Sequence, residues 1–450
     1  MNDSKRKSFY ISSKSIMLCN ETNFHGFHLG FYSNNFNIDA ERDSIIISLD
    51  TIRENEDAGD LTANFIKIDR EAMTITGSDM NTQAVFYISI PERGIFVVFN
   101  DLLIAKEILQ KFNMEVEYKF ENDGLSCFKY VNRLQYGEKI IINHDEKELI
   151  IKKFQSPNIL SEPPAQYSLD EAKEKFYKVL YDAVRELTEG KEDVCISLSG
   201  GVDSATVAYI LTRLGKKVTA YTVGTDWGNE YDEAQETANF LGIDIRRIHL
   251  SKDFIIGEVP NVIRYFGFRN GVSIEIALIA FCLYKKLFME ECKDRTFVTG
   301  YGSDLLNAGI YKSFTEYEEL FKDLYDGLRN TQYSNEFSNL AAINLCVENI
   351  HPFWHSNVIR EAMKVPVKYK VVQGRDKYFF RSMMEGKLPD NIVWRTKLGA
   401  HQGSGLSESL RDALEEMYGR RLTYQQILGN IHKDIFFNNN YPWKKSSSQH

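Results

Sequence analysis

The sequence has no excess of positive charge. Its 450 residues include 54 Lys and Arg against 63 Asp and Glu, which gives a formal net charge of −9. A broad nucleic-acid-binding surface needs clustered Lys and Arg side chains that replace counterions on the phosphate backbone. The charge balance therefore argues against a nucleic-acid partner, although it allows a local basic pocket for phosphates.

Long apolar runs and cysteine pairs are also missing. The longest apolar stretch, Ile274–Leu287, is interrupted by Glu275, Lys285 and Lys286 and is too short to span a bilayer. No apolar segment with a cleavage site follows the basic N-terminal residues, and the six cysteines form no CxxC pair. These absences predict a cytoplasmic protein that makes no membrane contact and keeps its thiols reduced.

Turn and strand signals divide the chain into two regions. The stretch Ser156–Gln166 holds three of the nine prolines and is typical of a linker. Before it, short apolar runs predict packed antiparallel strands, for example at Ser44–Leu49, Ala84–Ile90, Gly94–Phe99 and Lys139–Ile142. We therefore predict one domain over residues 1–155, a linker over 156–166 and a second domain over 167–450.

Strands and helices alternate in the second region. Ser168 and Glu171 give a capping-box signal for a helix over Leu169–Leu187. The later elements are predicted at Val194–Leu198, Ala205–Leu214, Lys217–Val223, Tyr231–Leu241, Ile245–Leu250, Ser273–Phe288 and Arg295–Thr299. Such alternation implies a doubly wound parallel sheet whose ligands bind beyond the carboxyl ends of the strands.

The first of these strand ends carries Ser199–Ser204, here called the first loop. Gly200 and Gly201 let the backbone approach an anion closely, and the following helix offers unpaired N–H groups. A carboxylate repels phosphate, so Asp203 makes chemical sense as a ligand of Mg²⁺ that bridges the phosphates. The alternative is a plain turn in which Asp203 and Ser204 cap the helix. The complete pattern SGGxDS between a strand and a helix favours the phosphate site.

A second loop, Gly300–Asp304, follows the last predicted strand. Gly300 and Gly302 again permit close approach of the backbone to a ligand. Asp304 can supply a second carboxylate for Mg²⁺. The alternative is a glycine-rich turn capped by Ser303, which the presence of the first loop makes the weaker interpretation.

Together the two loops resemble those of the asparagine synthetase family, whose first loop is the ATP-pyrophosphatase loop and not the GxxxxGK[ST] loop of kinases. The likeness extends over Leu169–Gly405 and includes the run GRDKYFFRSMMEGKLPDNIVWRTKLGAHQGSG at Gly374–Gly405. It implies ATP and Mg²⁺ as cofactors and cleavage of ATP to AMP and pyrophosphate. It also implies an α/β fold, with a degenerate glutaminase-like α+β sandwich of the N-terminal-nucleophile type before a doubly wound synthetase domain.

The residue between the two glycines of the second loop narrows the resemblance. Asparagine synthetases carry Glu there, whereas this chain has Tyr301, which resembles the β-lactam and carbapenam synthetases. In that branch a Tyr–Glu dyad deprotonates the attacking amine and a Lys stabilises the transition state. The resemblance assigns these catalytic roles to Tyr301, Glu348 and Lys397, with Glu316 and Glu318 as rivals for the glutamate.

The contacts to the nucleotide follow from the same resemblance. It places Leu198, Val223 and Gly300 against AMP and Lys377 against phosphate. The residues assigned to the cofactor are Leu198, Ser199, Gly200, Gly201, Asp203, Ser204, Val223, Gly300 and Lys377, and the metal ligands are Asp203 and Asp304. His351 and His401 lie in the same runs and are predicted to be structural.

The first domain lacks the nucleophile of a glutaminase. Asn2 stands where asparagine synthetases have Cys, and Cys19 follows no free terminus. Glutamine is therefore not the expected nitrogen source. The attacking amine is then free ammonia, a second substrate or part of the acylated molecule, and Tyr301 favours the last.

The predicted activity is closure of an intramolecular amide of the β-lactam type in a small amino acid derivative, as in natural-product biosynthesis. An intermolecular amide ligase and a peptide macrolactam cyclase stay open as alternatives. A non-catalytic nucleotide-binding regulator is disfavoured by the presence of Asp203, Asp304 and Lys397. A tRNA-modifying enzyme is disfavoured by the missing basic surface and redox cysteines. The oligomeric state is open, with a homodimer as one candidate.

Overall fold

The computed structural model describes residues 9–12, 14, 17–18, 21–24, 27–31, 37–40, 44–48, 65–77, 84–118, 126–135, 138–143, 149–153, 165–267, 271–289, 295–309, 316–334, 347–396 and 403–438. Lys397, His401 and most of the predicted linker fall outside these residues. The domain boundary at residues 156–166 therefore stays a prediction.

Antiparallel sheets form the first part of the described chain. One has the strand order β10–β8–β9–β1–β3–β2 and the other β12–β11–β7–β6–β5–β4. The strands are β1 (Phe9–Ser12), β2 (Glu21–Phe24), β3 (Phe27–Phe31), β4 (Asn37–Ala40), β5 (Ser44–Ser48), β6 (Phe65–Asp69), β7 (Ala72–Thr76), β8 (Phe86–Ile90), β9 (Ile95–Phe99), β10 (Asn132–Arg133), β11 (Glu138–Asn143) and β12 (Leu149–Lys153). The four strands predicted from apolar runs are confirmed as β5, β8, β9 and β11, with ends shifted by one or two residues.

The two sheets pack face to face because each strand places alternate apolar side chains on one side. The core between them includes Phe9, Ile11, Leu29, Ile66, Ile68, Met73, Ile75, Val98 and Ile140. The opposite face of the β1 sheet, with helix α1 (Ala105–Lys111), packs against helices of the second region. Across this boundary Tyr118 Oη lies 2.8 Å from His432 Nδ1, and Lys106 Nζ donates to the carbonyl of Phe437 at 2.7 Å. The β1 sheet is thus buried on both faces.

A parallel sheet forms the core of the second region. Its spatial order is β16–β14–β13–β17–β18, and the short β15 runs antiparallel to the end of β14. The strands are β13 (Asp193–Ser197), β14 (Lys217–Thr225), β15 (Gly228–Asn229), β16 (Asp244–Leu250), β17 (Arg295–Val298) and β18 (Val347–Ile350). The strand order reverses between β13 and β17, which makes their carboxyl ends the topological switch point. The first and second loops follow these two strands.

Helices cover both faces of this sheet, as the predicted doubly wound fold requires. They are α2 (Leu169–Leu187), α3 (Val202–Arg213), α4 (Tyr231–Leu241), α5 (Lys252–Phe266), α6 (Gly271–Met289), α7 (Ser303–Leu306), α8 (Tyr317–Ser334), α9 (Ser356–Lys364), α10 (Tyr378–Met384), α11 (Asp390–Val393), α12 (Leu406–Tyr418) and α13 (Tyr424–Phe436). One core joins α2, α3, α9 and α10 to the sheet, and the other joins α5, α6, α12 and α13 to it. In the described part of the chain no single helix is long and apolar enough to cross a membrane.

Helix α3 begins earlier than predicted, at Val202 and not at Ala205. Gly201 occupies the N-cap position with an extended backbone (φ −88°, ψ 152°). Asp203 and Ser204 therefore lie in the first turn of the helix and not in the loop before it. A carboxylate at this position is favoured by the positive end of the helix dipole.

Candidate active site

The first loop is held closed by its own serines. Ser204 Oγ lies 3.1 Å from Ser199 Oγ and accepts the backbone N–H of Ser199 at 3.2 Å. Gly200 is confined by helix α4, since a Cβ added there would lie 2.4 Å from Cβ of Glu233. Glycine is therefore required at this position by lack of space.

The second loop is in direct contact with the first. A Cβ added at Gly300 would lie 2.5 Å from the backbone N of Ser204 and 2.8 Å from the carbonyl carbon of Asp203. Gly302, two residues later, has φ 95°, a conformation that side chains disfavour. The structure thus brings the two predicted loops together at the switch point.

The carboxylates of both loops converge on one ammonium group. Lys377 Nζ donates to both oxygens of Asp203, at 2.7 and 2.6 Å, and lies 2.6 Å from Oδ1 of Asp304. The contact between Lys377 Nζ and Asp304 Oδ1 is an ion pair whose angles are not those of a hydrogen bond. The side chain of Lys377 is fully buried, that of Asp203 is 5% exposed and that of Asp304 is 33% exposed. We call these three residues the carboxylate–lysine cluster.

The cluster fits a magnesium ion that is bound together with phosphates. Mg²⁺ prefers oxygen ligands and is often held by one or two carboxylates plus substrate phosphates and water. Asp203 and Asp304 already converge on a single cation, Lys377 Nζ. Within the described residues no group of three or more His, Cys, Asp or Glu side chains could hold a metal ion by itself. Two converging carboxylates suit an ion whose other ligands are phosphates and water.

The residues assigned to AMP lie along the carboxyl ends of the strands. Leu198 is buried, and its N–H extends the β13–β14 pairing by donating to the carbonyl of Tyr221 at 2.9 Å. Val223 is half-buried near the end of β14. Beyond it, Thr225 Oγ1 donates to the carbonyl of Ser404 at 2.6 Å, so the GSG segment of residues 403–405 closes against this end of β14. Leu198, Val223 and Gly300 thus share one edge of the sheet.

The backbone of Tyr301 is positioned by a chain of partly buried hydrogen bonds. Its backbone N–H donates to Thr299 Oγ1 at 3.3 Å, and the same oxygen lies 2.7 Å from His351 Nδ1. Asn349 Nδ2 lies 2.9 Å from His351 Nε2, while Asn349 Oδ1 accepts from Tyr284 at 2.9 Å. In this orientation the amide nitrogen of Asn349 donates to His351 Nε2. The neutral ring of His351 therefore carries its proton on Nδ1. Burial lowers the pKa of His351 to about 4.

The neutral imidazole has a consequence for acid stability. The pKa of His351 falls from 6.5 to about 4 on folding, so the unfolded chain binds more protons between these values. We expect stability to be fully present above about pH 6.5 and to fall, by up to about 3 kcal/mol from this group, as the pH drops toward 4. Urea unfolding at several pH values would measure it. His351→Asn should be less stable at pH 7 but show a shallower pH slope. Equal slopes in wild type and His351→Asn would contradict the neutral ring.

Glu348 requires a correction, because the structure does not bring it to the edge that carries Tyr301. In β18 it pairs with Thr296, five residues before Tyr301, and its carboxylate accepts from Thr296 Oγ1 at 2.7 Å. It also binds the ammonium of Lys191, which precedes β13. These partners lie toward the amino ends of the strands, opposite the two loops. The rivals Glu316 and Glu318 are exposed at the start of α8 and stay predictions.

The position of Glu348 predicts that its replacement has only a small effect on stability and activity. Its side chain is 41% exposed, and an exposed ion pair contributes about 0–1 kcal/mol. Glu348→Gln should therefore lower stability by no more than about 1 kcal/mol and leave the rate of amide formation unchanged within twofold. Chemical unfolding and single-turnover product formation would check both values. A hundredfold loss of amide formation in a stably folded variant would restore Glu348 as the partner of Tyr301.

The two loops and the carboxylate–lysine cluster lie within a region that matches a known family. The family model of asparagine synthase matches residues 175–345 and 339–441, which is more than half of the chain. The chain belongs to the asparagine synthase family. The resemblance drawn from the two loops is thereby confirmed, and the matched region also includes Tyr301, Lys377 and Lys397.

Relatives within and around the family show how far the likeness extends. The carboxyethyl-arginine beta-lactam-synthase of Streptomyces clavuligerus is 28% identical over 214 residues, 48% of this chain and 41% of that protein. The putative glutamine-hydrolyzing asparagine synthetase 1 of Methanocaldococcus jannaschii is 25% identical over 300 residues, 56% of this chain and 53% of that protein. The structure of NMN synthetase from Francisella tularensis aligns with 60% of this chain and 94% of that chain at 16% identity, with a TM-score of 0.31. This chain thus spans about half or less of the length of its two relatives.

Basic residues outside the two loops complete the site, and the sequence does not assign them a role. Arg395 Nη1 donates to the carbonyl of Gly200 at 2.9 Å and so ties the segment before Lys397 to the first loop. Arg381 Nη1 donates to the carbonyls of Val393 and Arg395, at 2.7 and 3.0 Å. Arg381 is buried and Arg395 is half-buried. An arginine is solvated more often than buried, so the residue type alone predicts neither contact. Their contacts place the chain up to residue 396 beside the first loop.

Lys370 is a third such residue. Its Nζ donates to the carbonyls of Leu306 at 2.6 Å and Ala362 at 2.8 Å, which fixes the end of the short helix that carries Asp304. Burial lowers the pKa of Lys370 to about 7. The position of Asp304 therefore depends on a lysine that lies outside both loops.

Proposed function

We propose that this chain is an ATP-dependent amide synthetase that first adenylates a carboxylate. The observation that carries the proposal is the convergence of Asp203 and Asp304, from loops after two different strands, on one cation at the switch point. In the proposed first step a carboxylate oxygen of the substrate attacks the α-phosphorus of ATP, and pyrophosphate leaves. When bound, Mg²⁺ would neutralise charge on the phosphates. Asp203 and Asp304 would hold it, while the N–H groups of the first loop bind phosphate oxygens.

The second proposed step is an intramolecular amide closure in an amino acid derivative. It is supported by Tyr301 between the glycines of the second loop and by the likeness to a beta-lactam-synthase. The substrate's own amine attacks the acyl carbon, the bond to AMP breaks, and the amine loses a proton. Amines and tyrosine have similar pKa values near 10, so the phenolic oxygen of Tyr301 suits the exchange of this proton.

The other contributions of the chain are positioning and charge. Lys397 would offset negative charge on the tetrahedral intermediate and on the departing AMP. Holding the amine and the acyl group in near-attack geometry can supply about 7–11 kcal/mol of the barrier. Arg395 supports this arrangement, because its contact with Gly200 holds the segment before Lys397 beside the first loop.

An intermolecular ligase is the second candidate. The asparagine synthetase of Methanocaldococcus jannaschii matches more of this chain than the beta-lactam-synthase does, 56% against 48%. In this version ammonia or another amine, or the far end of a peptide, attacks the same acyl-adenylate. The two loops would act identically, and the difference would lie in which molecule carries the amine.

A screen for pyrophosphate release tests the proposal. Candidate β-amino acids and amino-dicarboxylates are incubated with ATP and Mg²⁺, and active acids are then tested with hydroxylamine, which traps an acyl-adenylate as a hydroxamate. Loss of one water from the acid, seen by mass spectrometry without added amine, indicates intramolecular closure. A product that contains added ammonia or amine indicates the ligase. ATP cleaved between the β- and γ-phosphates, or not at all with any acid, would contradict the proposal.

A further inference from the structure

The resemblance assigns Lys377 to phosphate, and in the structure its ammonium group contacts carboxylates. Its ammonium group lies within 2.7 Å of carboxylate oxygens from both loops, at the point where a bridging metal ion would sit. The position is built for this side chain, since a Cβ at Gly309 would lie 2.2 Å from Cε of Lys377 and 2.1 Å from Oδ1 of Asp304. Lys377 also adopts φ 53°, which is uncommon for a residue with a side chain.

Two converging carboxylates, of which Asp203 is buried and Asp304 is half-buried, need a compensating charge. Removing a carboxylate from water is costly unless a cation or hydrogen-bond donors replace the lost hydration. Lys377 supplies that cation without a metal, and its side chain is fully buried while doing so. A divalent ion and this ammonium group cannot occupy the same position between Asp203 and Asp304, because their charges repel at contact distance.

We propose that Lys377 is an internal counter-cation that occupies the metal position until nucleotide arrives. Free Mg²⁺ then binds poorly to the nucleotide-free protein, because it must displace an ion pair that is already formed. ATP makes metal binding favourable, because its phosphates bring their own Mg²⁺ and offer Lys377 a second anionic partner. The flexible four-carbon stem of lysine allows its ammonium to move from carboxylate to phosphate. This inference rests on the proposed function, in which ATP binds between the two loops.

The route by which the metal enters follows from the exposure of the cluster. Asp304 is 33% exposed, whereas Asp203 is 5% and Lys377 is 0% exposed. An incoming metal–nucleotide complex therefore meets Asp304 first and reaches Asp203 only after the ammonium group has moved. Metal and nucleotide should bind together, not in independent steps.

Binding of Mn²⁺, followed by electron paramagnetic resonance without nucleotide, tests the inference. The variant is Lys377→Met, which keeps the length of the side chain and removes its charge. The matched control is Lys368→Gln, an exposed lysine nine residues earlier. We expect wild type and the control to bind Mn²⁺ weakly and Lys377→Met to bind it at least tenfold more tightly. Adding the non-cleavable α,β-methylene analogue of ATP should raise the Mn²⁺ affinity of wild type at least tenfold.

Other outcomes separate the inference from the proposed function. Wild type that binds Mn²⁺ as tightly without nucleotide as with it overturns the inference by itself, even if Lys377→Met does not fold. Lys377→Met that folds and binds Mn²⁺ no more tightly than wild type overturns it too. A wild-type chain that binds no ATP analogue contradicts the proposed function, whereas a tenfold gain of Mn²⁺ affinity in nucleotide-free Lys377→Met would still support the counter-cation.

Discussion

Replacing Asp203 by Asn is expected to reduce pyrophosphate release at least a thousandfold. The carboxylate lies in the first turn of α3, where it is 2.6–2.7 Å from the ammonium of Lys377 and faces the second loop. Without its charge, one of the two proposed ligands of the phosphate-bound Mg²⁺ is lost. A thousandfold loss corresponds to about 4 kcal/mol of transition-state stabilisation, within the range that a metal supplies to phosphoryl chemistry. Steady-state pyrophosphate release with the cognate acid would measure it.

The same change also weakens a buried ion pair, so folding must be measured alongside. Lys377 keeps Asp304 as a partner in Asp203→Asn, which should limit the loss of stability. The matched control is Asp193→Asn at the amino end of β13, the strand before the first loop, where an exposed Asp193 pairs with Lys217 at 2.8 Å. The control should retain full pyrophosphate release. A folded Asp203→Asn protein with undiminished release would show that Asp203 does not hold the metal.

Local signals predict the secondary structure of the synthetase region well. The bounds of α2 and α4 agree with the sequence to the residue, because Ser168 and Glu171 cap the first and Gly242 ends the second at φ 65°. Helix α5 is not predicted, because Pro260 inside it has no backbone N–H to donate. A proline at such a position is typical of a helix end. The ligand-binding edge is predicted because both loops follow strands whose alternation with helices implies a parallel sheet.

Partners within the site could not be predicted in the same way. Lys377 is 174 residues from Asp203, and nothing in either local pattern says that the ammonium meets the carboxylates before any phosphate. Glu348 shows the opposite failure. The resemblance assigns it as the partner of Tyr301, but the register with Thr296 and the contact with Lys191 show that its carboxylate lies toward the other end of the sheet. The role of a residue was therefore predictable where the backbone of a single loop requires that residue type. It was not predictable where the partner lies on a distant segment of the chain.

Replacing Tyr301 by Phe is expected to separate the two proposed steps. Phenylalanine keeps the ring, which packs 6.0 Å from the ring of His351, and keeps the backbone N–H that donates to Thr299. Adenylation should therefore proceed within about threefold of wild type, since the phosphate-binding loops and the carboxylate–lysine cluster are unchanged. Amide closure should slow by about 10²–10⁴-fold, the usual contribution of a positioned general base. The acyl-adenylate should then accumulate on the enzyme.

Rapid quench of a single turnover distinguishes these steps. Pyrophosphate and AMP appear together in wild type if closure is fast, whereas in Tyr301→Phe pyrophosphate should appear in a burst and AMP should follow slowly. Hydroxylamine added after the burst should trap one acyl group per active site. Glu348→Gln is the matched control, because that carboxylate lies toward the other end of the sheet and should leave both phases unchanged. If Tyr301→Phe loses ATP binding yet closes each adenylate at the full rate, the phenol serves the nucleotide, and the proton must leave the amine by another route.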